Sequence, residues 1–305
     1  MTDPPVVAVV GPTATGKSDL GVALARRLGG EVINADSMQL YQGMDVGTAK
    51  LTVEERRGVP HHLLDVWPVT KSAAVAEYQA MARRAIQDVR ASGRVPILVG
   101  GSGLYVRAAL DRLQFPGESP EIRRRLYAEL AAAGSHQLHR RLADQDPEAA
   151  AAILPSNGRR IVRALEVIEL TGGPFLARMP GFEAVYDAVH IGLDRDDLDD
   201  RVALRVDRML TGGLVDEVRR LLPAGLRTSP TAGKALGYAQ VLACLDDTGA
   251  VVGELAEARE QTVRATRRFV RRQRSWFRRD PRIAWLAGTD GALLDRALAM
   301  VPPTL

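Results

Sequence analysis

Over its first 110 residues the chain alternates short apolar runs with amphipathic stretches. The runs Pro5-Val6-Val7-Ala8-Val9-Val10 and Val95-Pro96-Ile97-Leu98-Val99 have no polar break. Runs this short and rich in β-branched residues predict strands buried on both faces, as in a parallel sheet. Residues 31–36 predict a second strand with a polar end, and 59–66 a third, centred on 60–65. Between them, 19–28 reads as a helix stopped by Gly29-Gly30, 73–92 as a long helix ended by Gly93, and 104–110 as another helix. Strands alternating with helices predict an α/β fold, a parallel sheet flanked by helices.

The pattern changes near Gln114-Phe115-Pro116-Gly117-Glu118. From 120 to 171 only helix signals appear, rich in Ala, Arg and Leu, and Gly172-Gly173-Pro174 closes them. A strand resumes at 188–193, helices follow over 196–222, a basic helix covers 254–279, and 282–286 reads as a last strand. The expected organisation is a core over 1–114, an all-helical insertion over 115–184, and the rest of the core over 185–305.

The first apolar run is followed by Gly11-Pro12-Thr13-Ala14-Thr15-Gly16-Lys17-Ser18, a complete G-x-x-x-x-G-K-[ST] pattern between a strand and a helix. Glycines let backbone wrap close to an anion. Amide groups at the loop and helix start point at phosphate oxygens. Lys17 adds charge, and the Ser18 hydroxyl suits Mg²⁺. The fold class sharpens to a P-loop NTPase-like sheet. The motif says phosphate without saying which reaction. Nucleotide hydrolases and kinases place an acid at the end of a neighbouring strand to hold Mg²⁺, whereas 95–99 runs into Gly100-Gly101-Ser102.

Asp36 follows the second strand, so it is expected at the carboxyl edge of the sheet beside the loop, where ligands of open α/β sheets bind. A carboxylate there serves as general base or metal ligand; it also suits the cap of a turn. His61-His62 lacks the further ligands that a catalytic zinc takes, and reads as structural or as a channel lining.

Composition narrows the setting. The 305 residues are 46% hydrophobic and 26% charged, as in soluble domains. No apolar run approaches the roughly 18 residues of a membrane span, and no signal segment opens the chain, so a cytoplasmic, non-membrane protein is expected. The single cysteine, Cys244, reads as core packing. Net charge is only +4, yet 264–279 holds eight arginines and no acid. A polyanion is one reading of that run, and a solvated helix face is the other.

Several segments together resemble the tRNA dimethylallyltransferases, of bacterial type. Besides the P-loop these are Asn34-Ala35-Asp36-Ser37-Met38-Gln39-Leu40-Tyr41, Gly47-Thr48-Ala49-Lys50, His61-His62-Leu63-Leu64-Asp65 and Gly100-Gly101-Ser102-Gly103-Leu104-Tyr105. Further on come Arg160-Ile161-Val162-Arg163-Ala164-Leu165-Glu166, Ala235-Leu236-Gly237-Tyr238 and Thr266-Arg267-Arg268 through Gln273 to Trp276-Phe277. The order is kept over nearly the whole chain.

The resemblance implies transfer of a dimethylallyl group from dimethylallyl diphosphate to N6 of the adenosine just 3′ of the anticodon, in tRNAs reading codons that begin with U. It implies Asp36, Ser102 and Lys17 as catalytic residues. Gly11, Thr13, Ala14, Thr15, Gly16, Lys17, Ser18 and Arg219 would bind diphosphate, with Mg²⁺ at Ser18. Asp36, Ser37, Met38, Gln39, Arg123, Arg159, Arg160, Arg163 and Lys234 would bind the tRNA anticodon stem-loop. A monomer is expected. The family's usual Thr is replaced by Ser102. Ser156-Asn157-Gly158-Arg159-Arg160 departs from its Asn-Asp-x-x-Arg pattern. The competing functions are a P-loop small-molecule kinase and a non-catalytic RNA-binding protein.

Overall fold

The computed structural model of the chain describes residues 3–175 and 179–302. In chain order the elements are β1 (Val6–Val10), α1 (Lys17–Leu28), β2 (Glu31–Asn34), β3 (His61–His62), α2 (Val75–Ala91), β4 (Pro96–Gly100) and α3 (Gly103–Leu110). Then come α4 (Pro120–Ala133), α5 (Ser135–Gln145), α6 (Pro147–Ala152) and α7 (Gly158–Thr171). The chain continues through β5 (Ala188–Asp194), α8 (Leu198–Thr211), α9 (Leu214–Leu221), a 3₁₀ turn at Ala232–Lys234, α10 (Tyr238–Ala243), α11 (Leu255–Phe277), β6 (Ile283–Ala287) and α12 (Leu293–Ala299). Two compact units result: 3–112 with 184–302, which carries the sheet, and the helical unit 113–183. The sequence pattern predicts the helical unit over 115–184.

The six strands of the described residues form one parallel sheet in the order β3-β2-β4-β1-β5-β6. Every residue of β1 is fully buried. Val7 and Val9 pack with Leu20, Leu24 and Ala297 under α1 and α12, and the period of two sends Val6, Ala8 and Val10 to the other face. β1 lies between β4 and β5, so the chain leaves it in one direction towards β2 and later returns on its other side. The crevice at the carboxyl end of β1 is a topological switch point, where such sheets bind ligands.

The third strand shrinks from the expected 60–65 to His61–His62, because Leu63 and Asp65 adopt positive φ, 62° and 57°, which an extended strand cannot continue through. Helices α10 and α12 lie outside the sequence expectations.

In the helical unit, Ser119 and Asp146 cap helices that begin with proline, a strong start signal. Asn157 caps α7 through its Oδ1, which accepts the Arg160 N–H at 3.2 Å. The departure at 156–160 therefore keeps its turn. Leu126, Leu138, Leu142, Ile161 and Leu165 form this unit's own core.

Candidate active site

The loop after β1 turns sharply under the edge of β5. Gly11 has φ +135°, and a Cβ there would stand 2.3 Å from the Leu193 carbonyl oxygen, so no other residue fits. Gly16, at φ +95°, opens α1, and Lys17 begins it. The Thr15 hydroxyl donates to the Pro12 carbonyl oxygen at 3.0 Å, and Lys17 Nζ donates to the same oxygen. Burial, reinforced by the Arg205 charge and opposed by Asp36, lowers the Lys17 ammonium to about 7. Thr13 and Gln273 both line the cavity, and the Thr13 N–H donates to Gln273 Oε1 at 3.0 Å.

Asp36 lies two residues past β2, held from both sides. The Asn34 side chain accepts the Asp36 N–H at 2.9 Å and donates to the Asp36 and Leu63 carbonyl oxygens, each at 3.0 Å. Asp36 Oδ1 in turn accepts the Met38 N–H at 2.9 Å. The capping and chemical readings of Asp36 are thus compatible: one oxygen closes the turn while the residue lines the cavity. Ser102 Oγ accepts the Ser37 N–H at 3.1 Å and donates to Ser37 Oγ at 3.2 Å, tying the turn after β4 to the segment after β2.

Two chambers open on this group and share Thr13, Asp36, Thr48 and Arg205. The first holds Lys17, Ser18, Asn34, Gln39, His61 and Leu64. The second, about 330 Å³, is bounded by Ser37, Met38, Ser102 and Lys234 with the apolar wall of Val202, Val206, Met209, Leu236 and Phe269. A phosphate-binding loop and a hydroxyl-lined apolar pocket therefore meet at one carboxylate. Gln39 lies on the Lys17 side, its amide donating to the Thr48 carbonyl oxygen at 3.2 Å. His61 also lines that side; its Nδ1 lies 2.8 Å from the Val59 carbonyl oxygen, and burial lowers its pKa. His62 instead pairs with Glu31.

Arg219 is not in this group. Leu214, Glu217, Val218 and Leu221 are the buried positions of α9, so Arg219 falls on the outer side. It donates to Asp216 at 2.7 Å and to the Gly249 carbonyl oxygen at 2.9 Å, and lines a separate depression with Arg227 and Asp247. The arginine inside the cavity is Arg205 of α8, which donates to the Thr48 carbonyl oxygen at 3.1 Å. Burial lowers its pKa and the Asp36 charge opposes this. Arg201, one turn earlier, donates to the Ala14 carbonyl oxygen at 2.8 Å. Both arginines flank the apolar stripe Leu198, Val202, Val206 and Met209, a spacing that could have revealed them.

Sequence reasoning also missed Glu217 as a site residue. It is fully buried and accepts the N–H groups of Asp45, Val46 and Gly47 at 3.0, 2.8 and 3.1 Å, together with the Tyr238 hydroxyl. Tyr238 in turn leaves no room for a side chain at Gly47. Lys50 bridges Asp45 and Asp65, each at 2.6 Å. The motifs at 47–50, 61–65 and 235–238 thus build one loop scaffold around the cavity.

In the helical unit, Arg123 and Arg163 are engaged by the buried Glu166, at 2.8 and 2.9 Å. Arg163 also donates to the Pro116 and Gly117 carbonyl oxygens. These guanidinium groups hold the unit's own fold, which tells against their expected use on RNA. Arg159 and Arg160 are exposed.

The arginine run on α11 divides by side. Arg267 pairs with Asp199, and Arg274 and Arg278 with Asp194. Arg264, Arg268, Arg271, Arg272 and Arg279 are exposed and have no carboxylate partner among the described residues. Those at 264, 268, 271 and 272 share one stripe of α11, Arg279 lies beside it just past the helix end, and Arg272 and Phe269 line the second chamber. Among the described residues no cluster of three or more His, Cys, Asp or Glu could hold a metal ion, and no helix is long and apolar enough to cross a membrane.

The sequence model of the family described as IPP transferase matches residues 39–280. A tRNA dimethylallyltransferase of Thermobifida fusca is 66% identical, over 97% of this chain and 94% of its own length. One of Streptomyces griseus is 65% identical, over 98% and 96%. Among solved structures, the tRNA isopentenylpyrophosphate transferase of Bacillus halodurans superposes with a TM-score of 0.70 at 41% identity, covering 97% of this chain and 94% of that one. A eukaryotic dimethylallyltransferase acting on tRNA superposes at 0.80 with 25% identity, covering 97% and 77%. The chain belongs to the IPP transferase family.

Proposed function

We propose that this protein transfers the dimethylallyl group of dimethylallyl diphosphate to N6 of the adenosine 3′-adjacent to the anticodon, in tRNAs reading codons that begin with U. In this reading it acts in the cytoplasm as a monomer. The observation that carries the reading is the meeting of the two chambers at Asp36 and Arg205. One end offers amides and the Lys17 ammonium to a diphosphate. The other offers a pocket of a kind that suits a planar base.

In the reaction, adenine N6 attacks the allylic carbon, the bond from that carbon to the diphosphate oxygen breaks, and the N6 proton passes to Asp36. Asp36, fixed by Asn34 and Met38, orients the amine and receives its proton. Lys17, Arg205 and the α1 amides stabilise charge where it grows on the departing diphosphate. The target base must leave its stack to enter the second chamber, where Ser37, Met38 and Lys234 line its path; Gln39 supports the loop beside it. The exposed stripe on α11 follows the RNA backbone, and within the helical unit Arg159 and Arg160 are offered to RNA on their own account.

Mg²⁺ fits the donors present. Ser18 lines the Lys17 chamber, and in phosphate loops of this pattern the Ser or Thr hydroxyl ligates Mg²⁺ alongside the substrate phosphates. Ser18 would hold it, and its charge would add to that of Lys17 and Arg205. A small-molecule kinase is the weaker reading, because β4 ends in Gly100, with no acid in the usual place.

The test incubates purified protein with unmodified tRNA, Mg²⁺ and radiolabelled dimethylallyl diphosphate. Label is expected in tRNA without any need for ATP. ATP hydrolysis with no labelled tRNA would favour the kinase.

A further inference from the structure

Gln273 is a buried amide that the transfer chemistry leaves unused. It lies on α11 and is 5% exposed. Its Oε1 accepts the Thr13 N–H at 3.0 Å, and its Nε2 donates to the Gly101 carbonyl oxygen at 2.8 Å. The fit is close: a Cβ on Gly101 would stand 2.5 Å from Gln273 Nε2. Nearly one turn further, Trp276 covers Gly103, where a Cβ would fall 2.1 Å from its ring. α11 is therefore seated on the phosphate loop and on the 100–103 turn at once. The loop carries Lys17 and Ser18. The turn carries Ser102, which holds the Ser37 backbone beside Asp36.

The geometry points to Gln273 as a positioning residue that fixes the spacing between the leaving-group loop and the base-side turn. The carboxamide supplies both an acceptor for Thr13 and a donor for Gly101, which neither a leucine nor an ionised glutamate can do. By holding the Thr13 amide, Gln273 also determines which loop amides remain for phosphate oxygens. Attack at carbon requires the reacting atoms at about 3–3.5 Å, and a shift of about 1 Å can cost about 10²-fold in rate. A side chain that borders the Lys17 chamber and ties the two loops together acts on that separation through the backbone it holds. The inference rests on the transfer reaction proposed above.

The test compares wild type with Gln273→Leu and Gln273→Glu in the full chain. It measures inorganic pyrophosphate affinity by calorimetry, tRNA affinity, melting temperature and the single-turnover transfer rate. Gln273→Leu should slow the single-turnover step by about 10–100-fold and weaken pyrophosphate binding, while tRNA affinity stays within about twofold. Gln273→Glu keeps the acceptor for Thr13 but adds negative charge at the anion site. It should bind pyrophosphate more weakly than Gln273→Leu, and recover as pH falls and the carboxylate gains its proton. Unchanged rate and pyrophosphate affinity in Gln273→Leu would overturn the assignment. So would a uniform loss of every activity in step with a lower melting temperature. A wild type that transfers nothing would defeat the proposed reaction instead, and the pyrophosphate measurements would still decide the role of Gln273 in shaping the loop.

Discussion

One carboxylate oxygen of Asp36 accepts the Met38 amide hydrogen at 2.9 Å. The bond engages one oxygen at the junction of the chambers, and in the proposed reaction the second oxygen meets the amine. Asp36→Asn keeps the size but loses the basicity. It should lower the single-turnover transfer rate by about 10²–10⁴-fold, the usual contribution of a positioned base. Pyrophosphate binding should stay near that of wild type. A rate within a few fold of wild type would remove Asp36 from proton transfer.

Arg205 and Arg219 give opposite predictions. Arg205 lines both chambers, so Arg205→Ala should weaken diphosphate binding and cost about 10²–10³-fold in rate, as for loss of one group stabilising developing charge. Arg219 is held outside by Asp216 and Gly249, so Arg219→Ala should leave both within about twofold, as surface changes commonly do. Steady-state kinetics with varied dimethylallyl diphosphate separates the two; equal losses would contradict the assignment.

Diphosphate binding should depend on pH through Lys17. Its ammonium is depressed to about 7 in the free protein, so the charged fraction falls as pH rises through 7. Affinity for pyrophosphate should therefore decline above that pH, beyond any change owed to the titration of pyrophosphate. A bound anion favours the charged form and raises the pKa again, so binding near pH 7.5 should draw a proton onto Lys17. Calorimetry in buffers of different ionisation enthalpy reads that uptake, and Lys17→Met should abolish the Lys17 share. Equal proton linkage in the variant would contradict the prediction.

The two sides of α11 should also behave differently. Arg268→Glu with Arg271→Glu alters the exposed stripe and should weaken tRNA binding most at low salt, with a shallower dependence of log K on log salt, because fewer counterions are released. Transfer at saturating tRNA should fall far less. Binding measured over a series of salt concentrations checks this. Identical salt slopes would mean that the stripe merely faces water.

Much of this site is written locally. The phosphate loop is legible because each special residue answers a local demand: Gly11 must pass Leu193, and Gly16 must adopt positive φ before the helix begins. Asp36 is legible because it follows a strand whose hydrophobic run ends in polar residues. What the sequence leaves open is which polar residues beside an apolar stripe reach the cavity. Arg205 and Arg219 both sit on amphipathic helices with equal numbers of acids and arginines, and the packing of Glu217 and Val218 sends Arg219 outward. Gln273 is hidden for another reason. Its partner Thr13 lies 260 positions away, and nothing in the spacing of an arginine-rich helix announces a buried amide. The third strand fails on its own residues, since Leu63 and Asp65 leave the extended region to bring Asp65 to Lys50.

The most direct measurement is a nucleoside digest of tRNA after a single turnover, resolved by mass spectrometry, for wild type and Asp36→Asn side by side. The account predicts N6-dimethylallyl-adenosine at the position 3′ of the anticodon from wild type, and at least a hundredfold slower appearance from the variant at equal pyrophosphate affinity. Equal rates from both proteins, or a prenyl group on another atom, would contradict it.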